Sequence, residues 1–228
     1  MLNLKIIRKT KVILRKIFRK RFICRYMNHN ETLKLHIGSG STTLPGWLCT
    51  DICPSNNKVT YLDATKKFPL PNNSFQYIYS EHMIEHITHI QGLSMLKECY
   101  RVIKPGGRIR IATPDLKQIL LLYTGQPKGF NSQYIKWSMD TFAKDERDTF
   151  GYESSIVFNY FFHKWGHQFI YDEQTLTALL IKAGFKEPKR VAIHCSEDPN
   201  LANIERHQDA VNSETMIEFE TMIVEAVK

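Results

Sequence analysis

The first thirty residues contain no aspartate or glutamate, and that absence explains most of the protein's charge. The 228-residue chain carries 31 Lys and Arg against 23 Asp and Glu, a formal charge of +8. Ten of the basic side chains (Lys5, Arg8, Lys9, Lys11, Arg15, Lys16, Arg19, Lys20, Arg21 and Arg25) lie within residues 1–30. The remainder has 21 basic against 23 acidic groups, which excludes a fold that binds nucleic acid over its whole surface. Long apolar runs are missing from the arm too. Its longest is Val12-Ile13-Leu14, far short of a secretion-signal core or a membrane span. It also lacks serine and has as much Lys as Arg, unlike a transit peptide. Five scattered cysteines (Cys24, Cys49, Cys53, Cys99, Cys195) make no disulfide framework and point to a reducing, cytoplasmic setting. No second Cys or His pair joins Cys49 and Cys53 in a zinc site.

What is present is a globular composition, 43% hydrophobic and 24% charged, in a length that suits one large domain. In residues 1–30, Ile6/Ile7, Ile13/Leu14 and Ile17/Phe18 recur at helical spacing among the basic residues. Two readings stay open: a basic helix on an anionic membrane surface, or a partly ordered arm packed on its own domain. From Glu31 strands and helices alternate. Strands are expected at Leu33–Ile37, Trp47–Thr50, Lys58–Leu62, Phe75–Tyr79, Arg108–Ala112, Arg190–His194 and Thr221–Ala226. Helices are expected at Ile87–Ile103, stopped by Lys104-Pro105-Gly106-Gly107, and at Asp172–Ala183. Cys195–Glu214 reads as polar loop. This is the alternation of βαβ units: an α/β, doubly wound, mostly parallel sheet of seven strands.

In such sheets ligands bind beyond the carboxyl ends of the strands. Those ends carry Gly38-Ser39-Gly40, Asp51, Asp63, Ser80-Glu81-His82 and Thr113-Pro114-Asp115. Two glycines let a backbone approach a ligand, and an acid at the end of the next strand can hold a ribose. A dinucleotide fingerprint needs glycine where Thr43 stands, so a cofactor with a ribose and no phosphate fits better. The segments "LHIGSGSTTLPGWLCTDI", "DATKKFPLPNNSFQYIYSEHMIEHI", "LKECYRVIKPGGRIRIATPD" and "HQFIYDEQTLTALLIKAGF" resemble, in order, the motifs of S-adenosylmethionine-dependent methyltransferases with a Rossmann-like fold. The likeness spans about Leu33 to Arg190 and is nearest to a small bacterial branch, methyltransferase type 11-like, often linked to sugar and polysaccharide modification.

The resemblance implies that Gly38, Ser39 and Gly40 cradle the methionine part of S-adenosylmethionine, and that Asp51 holds the ribose. Ile52 would pack on adenine, Asp63 with Ala64 would meet its edge, and Ser80 and His82 would lie near the methionine amine and methyl. Three positions depart from the family pattern: His36 replaces an acid, Thr42 a glycine and Gln76 an acid. His82-Met83-Ile84-Glu85-His86 spells H-x-x-E-H, which on a helix would place two metal-binding histidines on one face. With no downstream ligand motif, no metal is expected, and Glu85 and His86 are read as helix-start or acceptor-site residues. Residues 116–170 exceed what the sheet needs and are rich in aromatics, among them Tyr123, Phe130, Tyr134, Trp137, Phe142, Phe150, Tyr152, Phe161 and Trp165. They read as a helical insertion after the fifth strand, a lid over the acceptor or a subcore. His163, His167 and Asp115 are the candidate catalytic bases. The expectation is a basic arm at 1–30 and a methyltransferase domain at 31–228. That domain would methylate a small-molecule or glycan-linked acceptor, at oxygen. A lipid or quinone-type acceptor at a membrane surface and a non-catalytic cofactor-binding module are the alternatives, and a homodimer is left open.

Overall fold

Seven short strands, most with a buried β-branched or aliphatic centre, form one sheet in a computed structural model describing residues 2–125, 129–146 and 153–228, without the side chains of 2–11 and 210. The strands are β1 (Lys34–Ile37), β2 (Leu48–Asp51), β3 (Val59–Tyr61), β4 (Phe75–Glu81), β5 (Ile103–Pro114), β6 (Lys186–Val191) and β7 (Thr221–Val227). Their order is β3-β2-β1-β4-β5-β7-β6. Strands β1 to β5 pair in parallel, while β7 runs antiparallel between β5 and β6. The chain order reverses between β1 and β4, where an open α/β sheet leaves a crevice.

The helices are α1 (Leu2–His29), α2 (His89–Val102), α3 (Leu116–Thr124), α4 (Phe130–Phe142), α5 (Glu153–His163), α6 (Glu173–Ala183), α7 (His207–Val211) and α8 (Glu214–Glu220). Local chemistry sets the main boundaries. Thr88 and Gln91 form a reciprocal capping box at the start of α2, and Asp172 accepts the Thr175 N–H at the start of α6. Met95, Leu96, Cys99 and Val102, spaced by one, three and three, turn one face of α2 onto Ile78, Ile109 and the side chains of α6.

Three sequence expectations shift. The last outer strand is β6 at Lys186–Val191, not Arg190–His194, because its register is set by pairing Arg190 with Val224 and Val191 with Ile223. Within 195–214, read as loop, α7 forms and α8 begins. The Ile87–Ile103 helix starts two residues late, since Ile84–His86 first makes a separate 3-10 turn.

Residues 116–170 do contain helices, α3, α4 and α5. Ile119, Leu122, Tyr134, Ile135, Met139, Val157 and Phe161 make a second core there, and Phe219 of α8 packs on Phe130 and Tyr134. Phe150 and Tyr152 lie outside the described residues. Helix α1 is docked by its last turns: Ile23 is buried and the Tyr26 hydroxyl accepts from Lys34 N and reaches Gly46 O at 2.9 Å. Lys16 and Arg19 lie over the Tyr61 ring. Ile13 and Ile17 face solvent on the far side of the helix, while Leu14 and Phe18, about half exposed, border a depression shared with Pro54, Ser55, Asn56 and Asn57. No described helix is long and apolar enough to cross a membrane.

Candidate active site

The turn after β1 must leave the strand sharply while keeping its backbone open. Gly38 and Gly40 both adopt positive φ, and a Cβ on Gly38 would stand 2.1 Å from Met83 Cγ, so no other residue fits there. A Cβ at Gly40 would meet nothing within 4 Å, which leaves that stretch of backbone facing open space. Thr50 O accepts the Ser39 N–H, and the Asp51 carboxylate braces the loop by accepting from Gly40 N at 2.9 Å and Cys53 N at 2.6 Å.

This loop forms one end of a cleft of about 420 Å³ at the β1/β4 switch point. The volume is within the roughly 300–1,000 Å³ of small-molecule sites. The far end is aromatic, built from Trp137 and Phe142 of α4, Phe161 of α5, and Trp165. Between them lie Glu81 and His82 at the end of β4, Glu85 and His86 on the 3-10 turn, His167, and Arg206 and His207 ahead of or opening α7.

Electrostatics differ sharply among these groups. Burial drives the His207 imidazole down to about 3, and does the same to His36 beneath the loop. Burial also opposes a charged His82, but Glu85, Glu220 and Glu81 outweigh it and hold its pKa above the ordinary value. His82 stacks on His207 with ring centroids 3.9 Å apart, and its φ is +44°, a strained conformation for a non-glycine residue. Burial raises the Glu220 carboxyl, which accepts a hydrogen bond from the Tyr134 hydroxyl.

Of the residues named from sequence, Gly38, Ser39, Gly40, His82 and His167 line the cleft. Asp51 stands behind the loop as its brace, and Ile52 beyond it is exposed. Asp63 closes its own turn by accepting from Thr65 N and Oγ1, with Ala64 packed on the main core. Ser80 is fully buried within β4. His163 is exposed at the end of α5, outside the cleft. Asp115 is buried elsewhere: it caps α3 through Lys117 N and pairs with Arg190 at 2.8 Å, beside a separate depression. Its carboxylate is committed to structure.

Sequence reading missed the contribution of 194–207. Arg110 of β5 is fully buried and donates to Glu205 at 2.6 Å, Glu225 at 2.5 Å and Cys195 O at 2.8 Å. Glu81 accepts from the backbone N–H groups of Arg206 and His207. These ties bring Arg206 and His207 to the cleft. Arg206 is the one Lys or Arg in the acidic stretch 195–214, a signal that marks the residue but not where the stretch folds.

The sheet order, the antiparallel β7 and a ligand cleft at the switch point define a Rossmann-like α/β enzyme scaffold. Residues 35–111 match the family described as methyltransferase domain. A solved S-adenosylmethionine-dependent methyltransferase from Archaeoglobus fulgidus shares the fold, with a TM-score of 0.50, 17% identity, and coverage of 95% of this chain and 93% of that one. A demethylmenaquinone methyltransferase of Staphylococcus epidermidis is 29% identical over 140 residues, 58% of this chain and 48% of its own. The chain thus spans about half the length of the curated relatives it matches. The likeness is to S-adenosylmethionine-dependent methyltransferases, in sequence over residues 35–111 and in fold over most of the chain, and the cofactor it implies is S-adenosylmethionine. The loop fits that cofactor: its backbone is open at Gly40, and the buried Ser39 hydroxyl has no protein partner.

Proposed function

We propose that the protein methylates a hydroxyl oxygen of a ring-bearing acceptor, a small molecule or glycan-linked unit, held on the aromatic wall of the cleft. One observation carries this reading: the cleft joins an open glycine loop to the wall of Trp137, Phe142, Phe161 and Trp165 within a single 420 Å³ space. Flat apolar faces of sugar or aromatic rings stack on such side chains, and the wall keeps water from the reacting atoms. The cofactor supplies an electrophilic methyl group on a sulfonium. Gly38, Ser39 and Gly40 bind its methionine end, and Asp51 fixes the loop that does so. His167 stands nearest the acceptor end of the three bases named from sequence. Its Nδ1 donates to Phe161 O at 2.7 Å, so Nε2 keeps its lone pair and can meet the acceptor. Positioning of the two reactants supplies much of the rate for an in-line displacement of this kind.

A second reading, a quinone-type or lipid acceptor at a membrane surface, is supported by the name of the Staphylococcus epidermidis relative and by the solvent-facing apolar stripe of α1. Calorimetric titration with S-adenosylmethionine, followed by transfer of labelled methyl to nucleotide sugars, glycans, quinols and lipids, separates the two. Label on a sugar hydroxyl is the expected outcome, and label on quinol selects the second reading. Binding without transfer to any acceptor would leave a non-catalytic cofactor-binding module. Asp51→Ala should weaken cofactor binding about tenfold or more, the loss of roughly 1.4 kcal/mol; unchanged affinity removes Asp51 from the site.

A further inference from the structure

The cleft holds two groups of three metal-ligating side chains, His82/His207/Glu220 and Glu85/His86/His167, and in each the ligand atoms lie within 4.8 Å of one another. They differ in what their lone pairs already do. In the first, His82 Nε2 lies 3.0 Å from Thr221 Oγ1 and its Nδ1 turns to Glu85, while Glu220 takes the Tyr134 hydroxyl. In the second, Glu85 is fully buried, yet its Oε1 accepts no hydrogen bond and makes only a 3.4 Å approach to His82 Nδ1. His82 beside it supplies part of the charge that this buried oxygen needs, but at 3.4 Å no full hydrogen bond, and a cation would complete its coordination.

The surroundings of this second group are those of a held ligand set. Thr113 Oγ1 donates to Glu85 Oε2 at 3.0 Å and orients the carboxylate. A carbonyl can only accept, so His167 Nδ1 carries the proton it shares with Phe161 O, and the neutral ring, which burial favours, presents a bare Nε2. The backbone of Gln168 and Phe169 donates to Glu85 O, and the Gln168 side chain donates to His86 O, which pins His167 beside the 3-10 turn. The His86 and His167 rings meet edge to face at 4.8 Å. The H-x-x-E-H pattern supplies two of these ligands from adjacent positions, and the fold adds the third from 81 residues downstream.

We propose that Glu85, His86 and His167 bind a divalent transition-metal cation whose open side faces the cleft. Two imidazoles and one carboxylate suit zinc and its neighbours, and three protein ligands leave a position for a further group, as catalytic rather than structural sites do. The assignment rests on the methyl-transfer reading only in making that further group the acceptor, which the cation would then activate in place of the free Nε2 of His167. Binding itself is independent of it.

The test uses the full chain stripped of metal and titrated with Zn²⁺ by calorimetry and with Co²⁺ by visible absorption. One equivalent should bind and give Co²⁺ ligand-field bands. His86→Ala and His167→Ala should each weaken binding beyond the roughly 10–100-fold typical of outer-shell changes, while His207→Ala leaves it in place. Glu85→Gln should act like the histidine variants; because Glu85 is buried, its fold is checked by circular dichroism, and His86→Ala decides if it fails to fold. No saturable binding, or binding that survives His86→Ala and His167→Ala, overturns the site. Loss through His207→Ala alone overturns it in favour of the other group. S-adenosylmethionine titrated in parallel reports on the methyltransferase reading by itself, so the two can fail separately.

Discussion

His36 shows how one residue carries both a structural cost and a readable signal. It occupies a position where the resembled family has an acid, and it lies buried against Tyr79 with ring centroids 4.9 Å apart. Its Nδ1 has no hydrogen-bond partner, and burial holds its pKa at about 3. The unfolded chain takes up this proton near pH 6.5. Between pH 6.5 and about 3 the unfolded state therefore binds the extra proton, and His36 makes the fold less stable as the pH falls. The slope is about 1.4 kcal/mol per pH unit within that window. His36→Gln should flatten the dependence of urea unfolding on pH by one proton there, and an unchanged slope would show that His36 is protonated in the fold. By contrast, Gly38 was legible as a loop glycine, but its reason, the 2.1 Å clash awaiting any Cβ at Met83, needed the tertiary structure.

At the scale of elements, β5 is the clearest lesson. Alternating Ile109 and Ile111 with Arg108 and Arg110 reads as a strand with one polar face turned to water. Arg108 is half-buried, but Arg110 is sealed inside because the segment 194–206 folds across it and supplies Glu205. That ion pair is worth little as net stability, yet removing one partner strands the others. Arg110→Leu should cost about 3–5 kcal/mol in unfolding free energy. It should also loosen the Arg206–His207 corner, seen as faster amide exchange of 194–207 than of β1. A loss below about 1 kcal/mol would mean that the carboxylates find other partners. The candidate site divides along the same line. The glycine loop, His82 and His167 were visible because their residue types are distinctive at strand ends and helix entries. Arg206, His207 and Glu220 were not, since nothing local says that a polar stretch near the C-terminus folds back over β4 and β5.

For the whole molecule, the division of charge between α1 and the body is the property with an outside consequence. The docked face of α1 buries Ile23 and engages Tyr26, so removing residues 1–30 outright would open the core beneath. Point substitution keeps that contact. On the opposite face Ile13 and Ile17, 57% and 65% exposed, stand beside Lys20 and Arg21, an arrangement that suits an anionic lipid surface. The double variant Ile13→Glu/Ile17→Glu should sediment less with phosphatidylserine-containing vesicles than the parent does, at unchanged melting temperature. Equal sedimentation would leave the stripe without a membrane role. Sequence by itself determined the α/β class, most strand and helix positions, the glycine loop and the basic arm, because periodicity, capping residues and glycine act over a few neighbours. Only the tertiary structure decided which helix face is docked, that Arg110 is buried, that Asp115 is a cap, and that His167 joins Glu85 and His86. Each of those depends on segments far apart in the chain meeting in space, and no local pattern records which of them will meet.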